Sequence, residues 1–353
     1  MPGFNTPALW RATKFQSFNY PITAVASVQG TKPYVIDLKK YLTGDSDYLS
    51  RIFVRIYGSI VKAGAGVGTA TGLDNPQGLL VSANLQTSPV FGNAVPFNQV
   101  SERTLRIDAM YNNGWNDPQT ALTDAAATVS VDFTVELNCK RSMISSVAGV
   151  DYSLALNQYR NATLTLVFGG RDQLFSGGTN TWDLSGLNVD LMADIDMGIV
   201  PEYIHAWELF ENIYTISASN PAFKIDNLPS GWVYTDFYIM SEESQALADG
   251  IVNNISISNG AQTWLLSGEG NAQNVRDFFT RRNYREISDN SEVFTGLYVI
   301  PLRDGMFTRG YDCRYSPPLL TLDLTAGAAT QIRLGGRRMI PGGVFQRPAS
   351  VSK

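Results

Sequence analysis

The residues able to do chemistry are few and scattered. The only histidine, His205, stands beside Ala206 and Trp207; with no second histidine and no nearby cysteine it completes neither a metal site nor a nucleophile relay. Cys139 and Cys313 are far apart and lack the paired spacing of a zinc or redox motif, so they read as buried thiols. Asp194 and Asp196, two apart in ADIDMG with Asp190 behind them, bring carboxylates together but lack the alternating oxygen ligands and terminal glutamate of a calcium loop. GAGVGTATG at 64–72 has the glycines of a dinucleotide loop without their spacing and without a βαβ pattern after it; it reads as a flexible surface turn. The hydrolase elbow, the phosphate loop and the HExxH zinc motif are absent from the sequence, and no spacing singles out a glycosidase pair among the 32 acidic residues. Asn161 and Asn254 open glycosylation triplets, which without an export signal read as strand residues. These readings together favour a structural or binding protein over an enzyme, with no cofactor and no metal.

The elements that would carry such a protein are strands. The chain has 353 residues, 44% hydrophobic and 17% charged, with 31 glycines, enough for two cores and rich in turn formers. No 18-residue apolar run is present, and MPGFNTPALWRATKF lacks the apolar segment of a signal peptide, so the expected place of synthesis is a cytoplasm. Charge is segregated. Residues 1–36 carry Arg11, Lys14 and Lys32 and no acid, and residues 324–353 carry Arg333, Arg337, Arg338, Arg347 and Lys353 and no acid. Two basic ends therefore flank an acidic body, and they suit a common anionic partner such as lipid headgroups or nucleic acid.

Period-two alternation of β-branched and aromatic residues predicts strands in YVIDLKKYL (34–42), SRIFVRIYGSIV (50–61), RTLRIDAMY (103–111), ATVSVDFTVEL (127–137), DYSLAL (151–156) and NATLTLVF (161–168). GGRDQLFSGGTN then reads as a linker. A second set follows: TWDLSGLNVDLM (181–192), EYIHAWELFENIYTISAS (202–219), GWVYTDFYIM (231–240), NNISISNGAQTWLLSG (253–268), FTGLYVIPL (294–302), LLTLDL (319–324) and TQIRLG (330–335). Two such sets predict an all-β chain of two sandwiches in tandem. The opening of EYIHAWELFENIY is also compatible with a short helix entering a strand. NAQNVRDFFTRRNYRE (271–286) predicts a helix in the second half, with Val275 and Phe279 on one face and Asp277 paired to Arg281 on another. The boundaries expected are an N-terminal tail over 1–33, a first sandwich over 34–175, a second over 181–336 and a C-terminal tail over 337–353.

This arrangement resembles the double jelly-roll major capsid proteins of icosahedral viruses with an internal membrane, a group that includes tectivirus-like phages and the adenovirus hexon. The resemblance spans nearly the whole chain and is carried locally by NVRDFFTRRNY and by the block in which GLYVIPLRDG leads through GYDCRYSPPLLTLDL toward the last strands. It implies two jelly rolls and a homotrimer forming a pseudo-hexagonal capsomer. Neighbouring capsomers and penton or minor capsid proteins would be its partners. Its place would be the capsid shell of a virion assembled after synthesis in a host cytoplasm, with no sequence-specific nucleic-acid binding. Under the same resemblance GAGVGTATGLDNPQG and ISDNSEVF become outer or intersubunit loops. Trp10, Arg11, Lys14 and Phe15, together with Arg337, Arg338 and Arg347, become interior-facing tails in peripheral contact with a membrane, and Phe307, Tyr311 and Tyr315 become anchors of a subunit contact. The alternative with the same strand content is a carbohydrate-binding sandwich, such as a lectin-like or fibre module.

Overall fold

The computed structural model describes residues 10–18, 32–40, 48–70, 76–89, 94–113, 121–139, 154–155, 159–197, 203–204, 207–244, 246–258, 263–265, 271–275, 295–302, 311–313, 317–327, 329–339 and 345–346. The first half supplies β1 (Trp10–Phe18), β2 (Lys32–Asp37), β3 (Tyr48–Ala63), β4 (Leu80–Pro89), β5 (Ala94–Val100), helix α1 (Glu102–Asn113), β6 (Ala127–Asn138), β7 (Tyr159–Phe168) and β8 (Thr181–Met197). One antiparallel sheet runs β1-β8-β3-β6, and β2-β7-β4-β5 run side by side in the other. Alternation makes this possible. In β3, Ile52, Val54, Ile56 and Ile60 are buried, while Phe53, Arg55 and Tyr57 between them are only partly covered. These inward residues meet Leu85, Leu164, Leu166, Phe133 and Trp182 in one core.

The second half supplies β9 (Trp207–Ile216), β10 (Asn220–Ile225), β11 (Val233–Glu243), β12 (Val252–Ser258), β13 (Thr263–Leu265), the short helix α2 (Ala272–Val275), β14 (Leu297–Pro301), β15 (Leu319–Leu324) and β16 (Thr330–Met339). Its sheets are β14-β11-β16-β9 and β10-β15-β12-β13. The enclosed core contains Phe237, Ile239, Ile255, Leu320, Leu322 and Ile332. The two halves are joined edge to edge. Leu209 and Phe210 of β9 lie in parallel register with Phe97 and Asn98 of β5, which makes one ten-stranded sheet that runs through both sandwiches.

The apolar runs FYIM and LYVI follow from this junction. In β11, Phe237 and Ile239 enter the second core, whereas Tyr238 and Met240 enter the first. In β14, Tyr298 and Ile300 point one way and Leu297 and Val299 the other. Strands covered on both faces show continuous hydrophobicity instead of alternation.

Several sequence expectations are corrected. RTLRIDAMY is helical, not extended: Glu102 to Ala109 is buried apart from partly covered Arg106, so Leu105, Ile107 and Ala109 alternate in letters while the amphipathic signature is erased by burial on all sides. Thr181–Met197, expected to open the second sandwich, pairs along β3 and places Trp182, Leu184, Leu187, Val189 and Leu191 in the first core. The supposed linker is packed as well, with Leu174 and Phe175 in that core. Residues 10–18 of the expected N-terminal tail form β1 on β8, and β16 continues through Arg337 and Arg338 to Met339. The region 202–219 gives β9 at Trp207–Ile216. Of the helix expected over 271–286, Ala272–Val275 is observed, and residues 276–286 lie outside the described residues.

Candidate functional site: the seam between the sandwiches

Among the described residues no group of His, Cys, Asp and Glu is arranged to hold a metal ion, and no helix is long and apolar enough to cross a membrane. Charged chemistry is concentrated instead where the halves meet. Helix α1 leaves β5 and packs against β6, β4 and β16, which sets its polar side chains between the first sandwich and the central sheet of the second.

Three ion-pair systems cross the seam. Asp108 of α1 receives two contacts from the Arg337 guanidinium of β16 and a third from the Tyr238 hydroxyl of β11 at 3.0 Å; Arg337 also donates to the Asn138 carbonyl at 3.2 Å. Arg103 of α1 meets Glu242 of β11 at 2.6 Å. Arg333 of β16 bridges Glu242 at 2.8 Å and Glu211 of β9, and Glu211 accepts from the Ser101 amide and hydroxyl at 2.9 and 2.7 Å. Glu208 of β9 accepts from Asn98 of β5 at 2.9 Å and from Arg338 at 2.8 Å. Arg338 is also sandwiched by rings, its guanidinium carbon 4.4 Å from the Trp232 centroid and 4.9 Å from that of Phe210.

Burial lowers the Arg103 pKa, and Glu242 only partly offsets it. Burial acts the same way on Arg333 and Arg337, but Glu211 and Glu242 outweigh it for the first and Asp108 for the second, and both are held above the ordinary arginine value. The backbone is shaped for the contact. A side-chain carbon on Gly335 of β16 would stand 3.0 Å from Thr104 Cγ2 of α1, and one on Gly336 would stand 2.2 Å from the Asp236 carbonyl, so the Gly-Gly pair admits both helix and neighbouring strand.

A second buried knot organises the rim of the first sandwich. Asp124, its side chain fully buried, accepts from Arg171 at 2.9 and 2.5 Å, from Trp182 Nε1 at 2.8 Å and from the Gly68 amide at 2.6 Å. Thr69–Ala70 pairs with Phe175–Ser176 beside it. The described part of the glycine-rich segment, expected to be a flexible turn, is therefore tied to the 171–182 region.

The sequence-predicted site residues fare differently. Arg337 and Arg338 do not form a tail: they are 1% and 8% exposed, and their charges are spent on Asp108 and Glu208. Trp10, Arg11, Lys14 and Phe15 lie on β1, in register with Met197, Asp196, Ala193 and Met192. Tyr311 bridges to Tyr234 and packs against the second core. Phe307, Tyr315 and Arg347 lie outside the described residues, as do His205 and ISDNSEVF. Asp108, Glu208, Glu211 and Glu242 were not singled out from sequence; the available signal was the unusual placing of acids inside apolar, strand-forming segments.

No protein-family model matches the sequence, and no curated protein matches it either. Solved structures do match. The crystal structure of the STIV MCP superposes with a TM-score of 0.63 at 14% identity, covering 97% of this chain and 100% of that one. A chain from the atomic structure of Sulfolobus Turreted Icosahedral Virus gives 0.64 at 15% identity, covering 94% and 91%. The chain carries the double jelly-roll fold of viral major capsid proteins. The major capsid protein P2 of bacteriophage PM2 matches at 0.51 and 12% identity over 96% and 99%. Both rolls of the double jelly roll are covered in each case, so the likeness includes how the sandwiches are set side by side as well as each sandwich alone.

Proposed function

We propose that this protein is the major structural subunit of a viral capsid and that three copies associate into a pseudo-hexagonal capsomer. The observation that carries the reading is the end-to-end match of a two-sandwich chain to the STIV MCP, with neither chain left over to any extent. The seam supports it physically. A shell subunit presenting two sandwiches to its neighbours needs them fixed relative to one another, and the crossing contacts of Asp108 with Arg337, Arg103 with Glu242, and Ser101 with Glu211 hold them in one orientation. Buried charges contribute little net stability but penalise every arrangement that separates them.

Closed three-fold association would bury the lateral flanks of each roll, leaving outer faces for weaker contacts with neighbouring capsomers and with penton or minor proteins. β1 ends its sheet, and in this reading its basic and aromatic residues contact either a neighbouring capsomer or an internal lipid layer. The subunit acts by assembly and not by catalysis, within a virion. Electron microscopy of the purified protein tests the reading: rings with six lobes and three-fold symmetry support it, and isolated two-lobed particles at every concentration contradict it.

A further inference from the structure

The strand that reaches the seam from the first sandwich is deformed at one residue. Ala83 and Leu85 of β4 enclose the single residue Asn84, while their partners Val100 and Phe97 of β5 enclose two, Asn98 and Gln99. This is a β-bulge, and it carries strain: Gln99 has a φ of +49°, in the left-handed region that a residue with a side chain rarely adopts. Asn98 is committed to Glu208 at 2.9 Å. Gln99 is exposed and lines a cavity of about 400 Å³ that opens into the seam, together with Gln331 of β16, Val81 and Ser82 of β4, and Ile213 of β9. Strain held in a cavity wall points to a use for the side chain it re-aims.

The lining is polar yet electrically balanced. Glu102 is answered by Arg106 at 3.4 Å and Arg103 by Glu242 at 2.6 Å, and Arg333 meets both Glu211 and Glu242. These carboxylates and guanidiniums cancel, so no net charge is offered to an ion. The groups open to a ligand include the Gln99 and Gln331 carboxamides and the Ser82 hydroxyl, each able to donate and to accept. Beside them stands an aliphatic wall in which Ile213 is 52% exposed. A charged ligand would enter without a counter-ion, and a wholly apolar one would strip water from the amides without replacing it.

We propose that this cavity binds one neutral pyranose ring, with Gln99 and Gln331 as its hydrogen-bonding residues and Ile213 packed against its C–H face. A sugar hydroxyl donates and accepts at once, as the lining groups do, and a pyranose pairs a rim of hydroxyls with an apolar face. The cavity has the size of small-molecule sites, roughly 300–1,000 Å³. The same ring chemistry is offered by a free monosaccharide and by the terminal residue of a glycan. The site is independent of how the chain assembles.

Saturation-transfer NMR titration of the full chain with the methyl pyranosides of glucose, galactose, mannose and N-acetylglucosamine tests the site, with an uncharged capped valine-threonine tetrapeptide as comparator. The expected result is binding of at least one pyranoside, weakened about tenfold by Gln331→Ala through loss of its hydrogen bonds. Gln99→Gly separates a ligand role from a structural one. Glycine relieves the strained φ, so this variant should melt at a higher temperature than the unaltered protein and yet bind about tenfold more weakly. Tighter binding of an oligosaccharide ending in the preferred sugar identifies a glycan as the source, and equal binding identifies the free sugar. No pyranoside bound, the tetrapeptide bound in their place, or binding unchanged in both variants overturns the proposal.

Discussion

Arg337 of the last long strand and Asp108 of α1 are 229 residues apart in sequence and form a doubly contacted ion pair in the interior, each side chain 1% exposed. The pair ties one sandwich to the other, and its removal has an asymmetric consequence. Asp108→Leu or Arg337→Met alone leaves a buried charge without its partner and is expected to cost about 3–5 kcal/mol. The double replacement Asp108→Leu with Arg337→Met should recover most of that loss. Urea unfolding of the four proteins in a double-mutant cycle measures it; additive losses would show that the two residues do not act as a pair.

Close approach of helix and sheet at Gly335 gives a second expectation. Gly335→Ala sets its new carbon 3.0 Å from Thr104 Cγ2 and 3.1 Å from Thr104 Oγ1, and crowding of this kind costs about 1–3 kcal/mol. Thr104→Ala removes both opposing atoms and should restore stability in the double variant. A thermal melt in which Thr104→Ala brings no recovery would place the strain elsewhere.

Asp124 makes stability depend on acid. Burial acts to raise its pKa, but Arg171, the Gly68 amide and Trp182 outweigh burial and hold the carboxyl below the ordinary aspartate value of 3.8. A folded-state pKa below the unfolded one means that the stabilisation is complete above about pH 4 and is lost as pH falls through the folded value. The stability gap between the protein and Asp124→Asn should therefore be widest near neutrality and shrink below about pH 4. Unfolding followed by tryptophan fluorescence, to which Trp182 at 2.8 Å from Asp124 contributes directly, provides the measurement. A gap that does not change with pH would remove Asp124 as the acid-sensitive group.

What the sequence made legible was local. β3 and β6 were plain because their inward residues alternate over long runs. β11 was found as a strand, but its burial on both faces becomes intelligible only when Tyr238 and Met240 are seen in a different core from Phe237 and Ile239. α1 escapes the pattern because Glu102, Arg103, Thr104 and Asp108 are buried along with Leu105 and Ile107, so polar and apolar residues do not separate onto two faces. GGRDQLFSGGTN looked like a linker because its glycines are visible in the string and the salt bridge from Arg171 to Asp124, 47 residues back, is not. Arg337 and Arg338 looked like a basic tail for the same reason: Glu208 lies 130 residues from Arg338 and Asp108 farther still from Arg337. Long-range charge pairing, on which the candidate site depends, leaves no local pattern.

The lipid contact proposed for β1 is separable from its role in the sheet. Replacing Arg11 and Lys14 by glutamine keeps the backbone pairing with Asp196 and Ala193 available while removing charge, at about 1 kcal/mol of attraction per basic residue near an anionic surface. Flotation with phosphatidylserine vesicles at low salt should show the variant binding less than the unaltered protein, and both should be released by added salt. Equal flotation of the two proteins would eliminate the lipid role and leave the contact with neighbouring capsomers.

Assembly of this chain as a capsid subunit is tested most directly by its mass in solution. Light scattering of the purified protein across a concentration series should give a particle of about three times the 38.7 kDa chain mass, growing into larger closed shells under assembly conditions. A species that stays at 38.7 kDa at the highest concentrations would contradict the account.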